Sequence, residues 1–300
     1  MTSPSIALTP ARRPSSIRRW LVAAAPYILL APGLLWLFYF FIWPAVQMFL
    51  MSISTGNLDD GFRVTGTTKA YEAALTKFGP QWLNSLVYAG LATLFDLAIG
   101  FPVAYAIAFR GGRYKNLLLF LVIAPFFTSF LIRTISWQIL LGDEGPVLGF
   151  LKHTVPVLSS DTSVLYSPIA VVAGLTYNFL PFMILPLYVA LERIDGRLIE
   201  AAHDLYASSW AAFRRVTFPL ALPGVFAGTI LTFIPAMGDY VNAELLGSPK
   251  TRMIGNVIQG RFLQLNDYPT ASALSFVLMA AILLAVLVYA RALGTEDLTG

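Results

Sequence analysis

The chain has 300 residues, 57% apolar and 12% charged, with a mean hydropathy of +0.70. Water-soluble chains carry about 25% charged residues, so a soluble enzyme or nucleic-acid-binding domain is excluded, and the net charge of +4 follows membrane topology instead. There is no cysteine, and His153 and His203 show no HExxH spacing, which removes disulfides, thiolate chemistry and a zinc site.

A hydrocarbon core of about 30 Å needs roughly 20 apolar residues as helix. Six segments qualify, at 20–51, 82–109, 117–141, 168–191, 220–246 and 271–292. The expected architecture is an all-α polytopic membrane protein with six transmembrane helices. A tail at 1–19 precedes the six-span domain at 20–293, which carries a polar insert at 193–219, and a second tail occupies 294–300. Arg12, Arg13, Arg18 and Arg19 precede the first span, whose length leaves room for a kink at Pro26, Pro32 or Pro44. Its apolar run exceeds the about 7–15 residues of a signal-peptide core, so a retained helix is expected.

The second span carries Asp96, and Arg110, Arg113 and Lys115 fill the tight turn after it. With six alternating spans these cations share one side with Arg193, Arg197, Arg214, Arg215 and Arg291. The positive-inside rule makes that side the cytoplasm and places both termini there. The opposite side receives loops 52–81, 142–166 and 247–270, with Asp59, Asp60, Glu72, Asp143, Glu144, Asp161 and Asp267.

In the third span Phe126, Phe130, Arg133 and Trp137 fall on one stripe of a regular helix. An arginine at a span centre costs about 2.5–3.5 kcal/mol, so it should face protein or water. Either it forms a structural ion pair, or the stripe lines a translocation path whose rings stack on a passing cation, worth about 0.5–2 kcal/mol each. On the fourth span Gly174, Tyr177, Pro181 and Tyr188 share a stripe, which predicts a kinked helix with a polar-aromatic inner face. Tyr177 and Asn178 are expected to be satisfied by neighbouring helices before they touch substrate. In the fifth span Gly224 and Gly228 form a GxxxG suited to close packing. Asp239 and Glu244, five residues apart, stand about 140° apart on a regular helix, unless Pro235 and Gly238 break it. Asp96, Asp239 and Glu244 are as open to structural roles as to lining a path.

The insert from 200 to 223 reads EAAHDLYASSWAAFRRVTFPLALP. Glu200 and Asp204 share a face at i,i+4, Ala201 and Ala202 permit close helix packing, and Pro219 starts the next span. No GxxxxGK[ST] is present, and Gly247-Ser248-Pro249-Lys250-Thr251 has proline where a phosphate cradle needs glycine. The chain therefore draws energy from a partner or from an ion gradient. In the second case it would be a secondary transporter coupled through its buried acids.

Glu200-Ala201-Ala202 and Thr217-Phe218-Pro219 resemble the cytoplasmic signature of ABC importer permeases, whose short coupling helix docks into a separate ATPase subunit. The pattern departs at Tyr206, where the family carries glycine, a residue suited to positive φ, and mildly at Val216 and Phe218. The run from Pro125 to Trp137 and residues 233–275 resemble the spermidine/putrescine permeases, specifically those of the B type. This resemblance implies a type I ABC importer permease fold in the inner membrane. It implies ATPase coupling through Glu200, Ala201, Ala202, Asp204, Leu205, Tyr206, Ala207 and Pro219. The implied path holds Phe126, Phe130, Arg133, Trp137, Tyr177, Asp96, Asp239 and Glu244, with Asp239 or Glu244 as the ion-pair partner of Arg133. No cofactor or metal is expected in this chain, with ATP-Mg in the partner. The implied partners are a second homologous permease, two ATPase subunits, an extracytoplasmic substrate-binding protein and membrane lipid, with no nucleic acid. Permeases for iron, thiamine, sulfate, phosphonates and opines share parts of these patterns and stand as alternative substrates.

Overall fold

A computed structural model describes residues 27, 29–142, 145–146 and 163–292. Arg12, Arg13, Arg18, Arg19, Pro26, Asp143, Glu144, His153, Asp161 and both tails lie outside the described residues. The chain divides into two units, Met1–Leu50 and Met51–Gly300.

The described part of the first unit is one helix, α1, which runs Leu29–Ser52 into the start of the second. It is apolar all round, with Leu34, Leu35, Trp36, Phe38 and Tyr39 all exposed, as suits a helix solvated by lipid. A π turn at Phe38–Ile42 sits just before Pro44, whose missing amide removes one i to i−4 bond.

In the second unit a small antiparallel hairpin pairs β1 (Ser54–Asn57) with β2 (Gly61–Val64). Its turn is held by Asn57 Oδ1, which accepts from the amides of Asp59 and Asp60. Helix α2 (Lys69–Thr76) leads into α3 (Gly79–Arg110). Then follow α4 (Gly112–Phe127), α5 (Phe130–Leu141), α6 (Pro168–Glu192), α7 (Gly196–Asp204), α8 (Ser209–Met237), α9 (Val241–Leu246), α10 (Ile254–Gln259) and α11 (Tyr268–Ala292). Five described helices are long and apolar enough to cross a membrane, and the bent pair α4–α5 completes six when counted as one span. The all-α class expected from the sequence is the class observed.

Two expected spans are not single helices. The third bends by 92° between α4 and α5. Pro125 contributes no amide, and its carbonyl accepts from both the amide and the hydroxyl of Thr128, at 3.1 and 2.7 Å. Thr128 is then extended and α5 starts afresh after Ser129. The fifth span starts eleven residues earlier than expected, at Ser209 inside the polar insert. It ends at Met237 rather than 246, since Gly238 caps α8 and α9 restarts at Val241. By contrast α6 runs through Pro181 and Pro186 as one helix.

The core lies where α3, α6 and α8 pack together. One cluster gathers Ala92, Leu175, Phe179 and Met237, and another gathers Phe101, Met183, Leu187 and Val225. Lipid tails are as apolar as leucine, so helices in a membrane associate through close packing of small residues. The GxxxG supplies it. A Cβ on Gly224 would lie 2.6 Å from Ala190 Cβ, and one on Gly228 would lie 2.6 Å from Met183 Sδ.

The two ends of this bundle differ. At one, Asn84 donates to the carbonyls of Lys250 and Arg252, and Ser85 accepts from the amide of Ile254, which fastens the loop before α10 onto α3. At the other, Lys115 pairs with Glu192 at 2.6 Å and lies over the Tyr188 ring. There Phe213 meets Phe101 and Tyr105, which joins the start of α8 to the end of α3. Arg110, Arg113, Arg193, Arg197, Arg214 and Arg215 occupy the helix ends that meet here.

Candidate functional site

The insert forms a projecting helix-turn-helix. Asp195 caps α7 by accepting from the Arg197 amide at 3.0 Å, satisfying an otherwise free donor of the first turn. No residue of α7 is buried. Glu200, Ala201 and Asp204 are exposed and Ala202 half-buried, so the small pair leaves a shallow face open instead of packing inside this chain.

The turn after α7 is a Schellman motif. The Ala207 amide bonds to the Ala202 carbonyl at 3.0 Å and the Tyr206 amide to the His203 carbonyl at 2.9 Å. This motif requires its central residue to be left-handed, and Tyr206 has φ of 62°. The glycine that the sequence resemblance leads one to expect here suits this backbone requirement, which the tyrosine meets against its steric preference at about 1–2 kcal/mol. Tyr206 is 98% exposed, so its ring makes no packing within this chain. His203 Nδ1, 3.1 Å from the Ala207 carbonyl, braces the same turn.

Ser208 then caps α8 by accepting from the Ala211 amide. Pro219 does not start the span as expected: it is exposed ten residues inside α8, just past a π turn at Phe213–Thr217. Leu198, Leu205 and Trp210 are also exposed on the insert, and Trp210 stacks on Phe213, the residue that touches α3. Leu198 and Trp210 escaped the sequence reading. A tryptophan in a polar insert is the signal that could have found Trp210.

Seven of the expected path residues fall into three groups, and Asp96 stands alone. Phe126 lies before the bend and Phe130 after it, so the single-helix stripe does not exist. The bend nevertheless brings both rings to the Arg133 guanidinium, whose carbon sits 5.2 Å from the Phe126 centroid and 5.7 Å from that of Phe130. Two such contacts, about 0.5–2 kcal/mol each, offset much of the about 2.5–3.5 kcal/mol cost of an arginine at membrane depth. Trp137 and Tyr177 meet at 5.4 Å along an apolar groove of about 620 Å³ that also touches Tyr88, Phe95 and Thr176. Asp239 and Glu244 flank the break after α8.

The ion pair expected between Arg133 and Asp239 or Glu244 is not formed. Asp239 Oδ1 accepts from the Asn242 amide at 2.8 Å, where the start of α9 favours negative charge. Glu244 accepts from the Asn256 side chain at 3.0 Å, which ties α9 to α10. Gly255 closes over the break, for a Cβ there would lie 2.9 Å from the Asp239 carbonyl oxygen. Asp96 stands apart from all of these, fully buried in α3, with no hydrogen-bond partner for either carboxylate oxygen among the described residues.

Asn178 is only half satisfied by neighbouring helices: its side-chain NH2 is bonded, while its Oδ1 is buried with no hydrogen-bond partner among the described residues. Its amide donates to Asn242 Oδ1 at 3.1 Å and to Thr134 Oγ1 at 3.3 Å, and it is 1% exposed. This network, unforeseen at Thr134 and Asn242, fastens α5 and α9 to α6. Gly174 makes room for it, because a Cβ there would lie 2.8 Å from Asn242 Oδ1.

Comparison with known proteins places these features. A family model for the binding-protein-dependent transport system inner membrane component matches residues 97–293, from the middle of α3 to just past α11. The chain is 39% identical over 259 residues to the spermidine/putrescine transport system permease protein PotB of Haemophilus influenzae, covering 86% of this chain and 90% of that protein. It is 41% identical over 210 residues to PotB of Escherichia coli, covering 70% and 76%. Among solved structures, a bacterial ABC transporter involved in the import of the acidic polysaccharide alginate shares the fold, with a TM-score of 0.74 at 19% identity over 95% of this chain and 100% of that one. The chain thus belongs to the family of binding-protein-dependent transport system inner membrane components, and the PotB permeases are its relatives within it.

Proposed function

We propose that this chain is the permease subunit of an ATP-driven importer that carries spermidine and putrescine across the inner membrane. The observation that carries the reading is the extent of the PotB match, which runs through nearly all of both proteins. Family membership displaces the ion-coupled alternative. A separate ATPase binds ATP-Mg and receives α7 together with Leu205, Tyr206, Ala207 and the start of α8. A second related permease supplies the other half of the path, and an external binding protein delivers the amine. The cation-rich helix ends and both termini face the cytoplasm.

The geometry gives this coupling a mechanical route. Motion imposed on α7 and Trp210 passes through stacked Phe213 to Phe101 and Tyr105 on α3, and so into the helix packed most closely on α6. On the path side, Phe126, Phe130, Arg133, Trp137, Tyr177, Asp96, Asp239 and Glu244 are the groups for the amine to pass. The test is uptake of labelled spermidine or putrescine by cells lacking other polyamine uptake and carrying this chain with its partner subunits. Uptake that depends on this chain supports the reading. Competition by iron, sulfate or thiamine, with polyamines inert, refutes it.

A further inference from the structure

The most unusual polar group at membrane depth is Arg133. It is 8% exposed, and its Nε and Nη1 are buried without a hydrogen-bond partner among the described residues. No carboxylate pairs with it there: the ion pairs between described residues are Lys115–Glu192 and Arg261–Asp267. What holds the guanidinium is aromatic. Phe126 and Phe130 face it, Phe126 meets Phe182 edge-on at 5.0 Å, and Phe130 and Phe182 both contact Phe179. Phe126 and Phe130 thus form a two-ring cage, buttressed by Phe182 and Phe179 of α6, and Phe126 and Phe182 stay 37% and 36% exposed. Such a cage attracts any weakly hydrated cation to its ring faces and is indifferent to which one.

We infer that the Phe126–Phe130 cage is a binding site for an alkylammonium group of the transported amine, and that Arg133 fills it as a tethered competitor in this conformation. The inference rests on the polyamine reading above. An incoming ammonium and the guanidinium cannot share one pair of ring faces, so Arg133 must leave when the amine enters. The acids on the next elements then matter. Thr134 beside Arg133 contacts Asn242, whose amide bonds Asp239, so the arginine and the acid stand on elements fastened together. Asp239 and Glu244 are bonded here to neutral groups alone among the described residues, which makes them the candidate partners for the displaced cation. An arginine in the route of a cation thereby acts as a gate closed by the same chemistry that recognises the substrate. Solutes without a cationic group cannot open it.

The experiment measures binding of labelled spermidine to the purified membrane complex with its ATPase subunits, leaving out the binding protein so that its affinity does not mask the permease. Arg133→Gln removes the competitor and should tighten binding roughly threefold or more. In that background, mono-, di- and trifluorophenylalanine at 126 preserve ring shape while draining its negative face, and should weaken binding stepwise. A purely structural arginine predicts no such series. If Arg133→Gln does not reach the membrane, Arg133→Met takes its place as an apolar residue of similar length, and failure of both overturns the competitor role. Binding that ignores fluorination overturns the cage. Wild-type complexes that import neither polyamine would instead remove the substrate reading, while import with a flat fluorination series removes the cage alone.

Discussion

Tyr206→Gly should stabilise the turn after α7. The Schellman motif places residue 206 at φ of 62°, where an L side chain costs about 1–2 kcal/mol and glycine nothing. Glycine also gives the unfolded chain more freedom, which takes back about 0.5–1 kcal/mol. The ring contributes no packing within the chain to lose, being 98% exposed. The net gain is about 0.5–1 kcal/mol, which slows local opening roughly two- to fivefold. Hydrogen exchange at the Ala207 amide, which donates across the motif to Ala202, reads that opening directly in the detergent-purified chain. Tyr206→Ala is the control: it removes the ring but keeps the left-handed penalty, so its exchange should match wild type. Faster exchange in the glycine variant, or equal slowing in both, would refute the strain argument. With the ATPase partner added, both variants report whether the ring itself docks. Tyr206→Gly is then expected to couple at least as well as wild type if the tyrosine only replaces a glycine.

Three further outcomes follow from the same structure. Glu200→Lys with Ala201→Trp should leave the spans inserted but abolish stimulation of ATPase activity by ligand-loaded binding protein, because both change the open face of α7; unchanged stimulation removes the coupling role. Gly228→Leu should destabilise the α6–α8 contact by about 1–3 kcal/mol through collision with Met183, seen as a lower melting temperature of the purified chain. Asn178→Leu leaves Asn242 short of its donor and should cost about 0.5–2 kcal/mol, and Asn178→Leu with Asn242→Leu should recover part of that in the same melting assay.

The spans could be read because their signal is length and apolarity, which the membrane itself demands. Their breaks were legible only in part. Pro235 and Gly238 flagged the end of α8, yet the expected fifth span still ran on to 246. The bend at Thr128 was missed, although Pro125 lies three residues ahead of it. Proline alone decides neither case: α6 passes Pro181 and Pro186 unbroken, while Pro125 ends its helix with a Thr128 hydroxyl ready to take its carbonyl. A proline frees the carbonyl four residues before it and crowds that turn, and whether the helix absorbs this or stops is decided by tertiary packing that composition does not show.

The site divides along the same line. α7 was legible because its residues act through their own exposed backbone geometry, and even the departure at Tyr206 pointed to the torsion it adopts. The Arg133 pairing was not, because a buried charge announces that it needs a partner without saying which. Sequence reasoning supplied a carboxylate, the strongest partner by Coulomb's law. A carboxylate is also itself expensive to bury, and here both nearby candidates are taken by backbone or amide donors. Rings cost nothing to desolvate, so in a low-dielectric interior two weak cation–π contacts compete with one strong but doubly desolvated ion pair. That balance leaves the arginine on ring faces, with Asp239 and Glu244 bonded to neutral groups among the described residues.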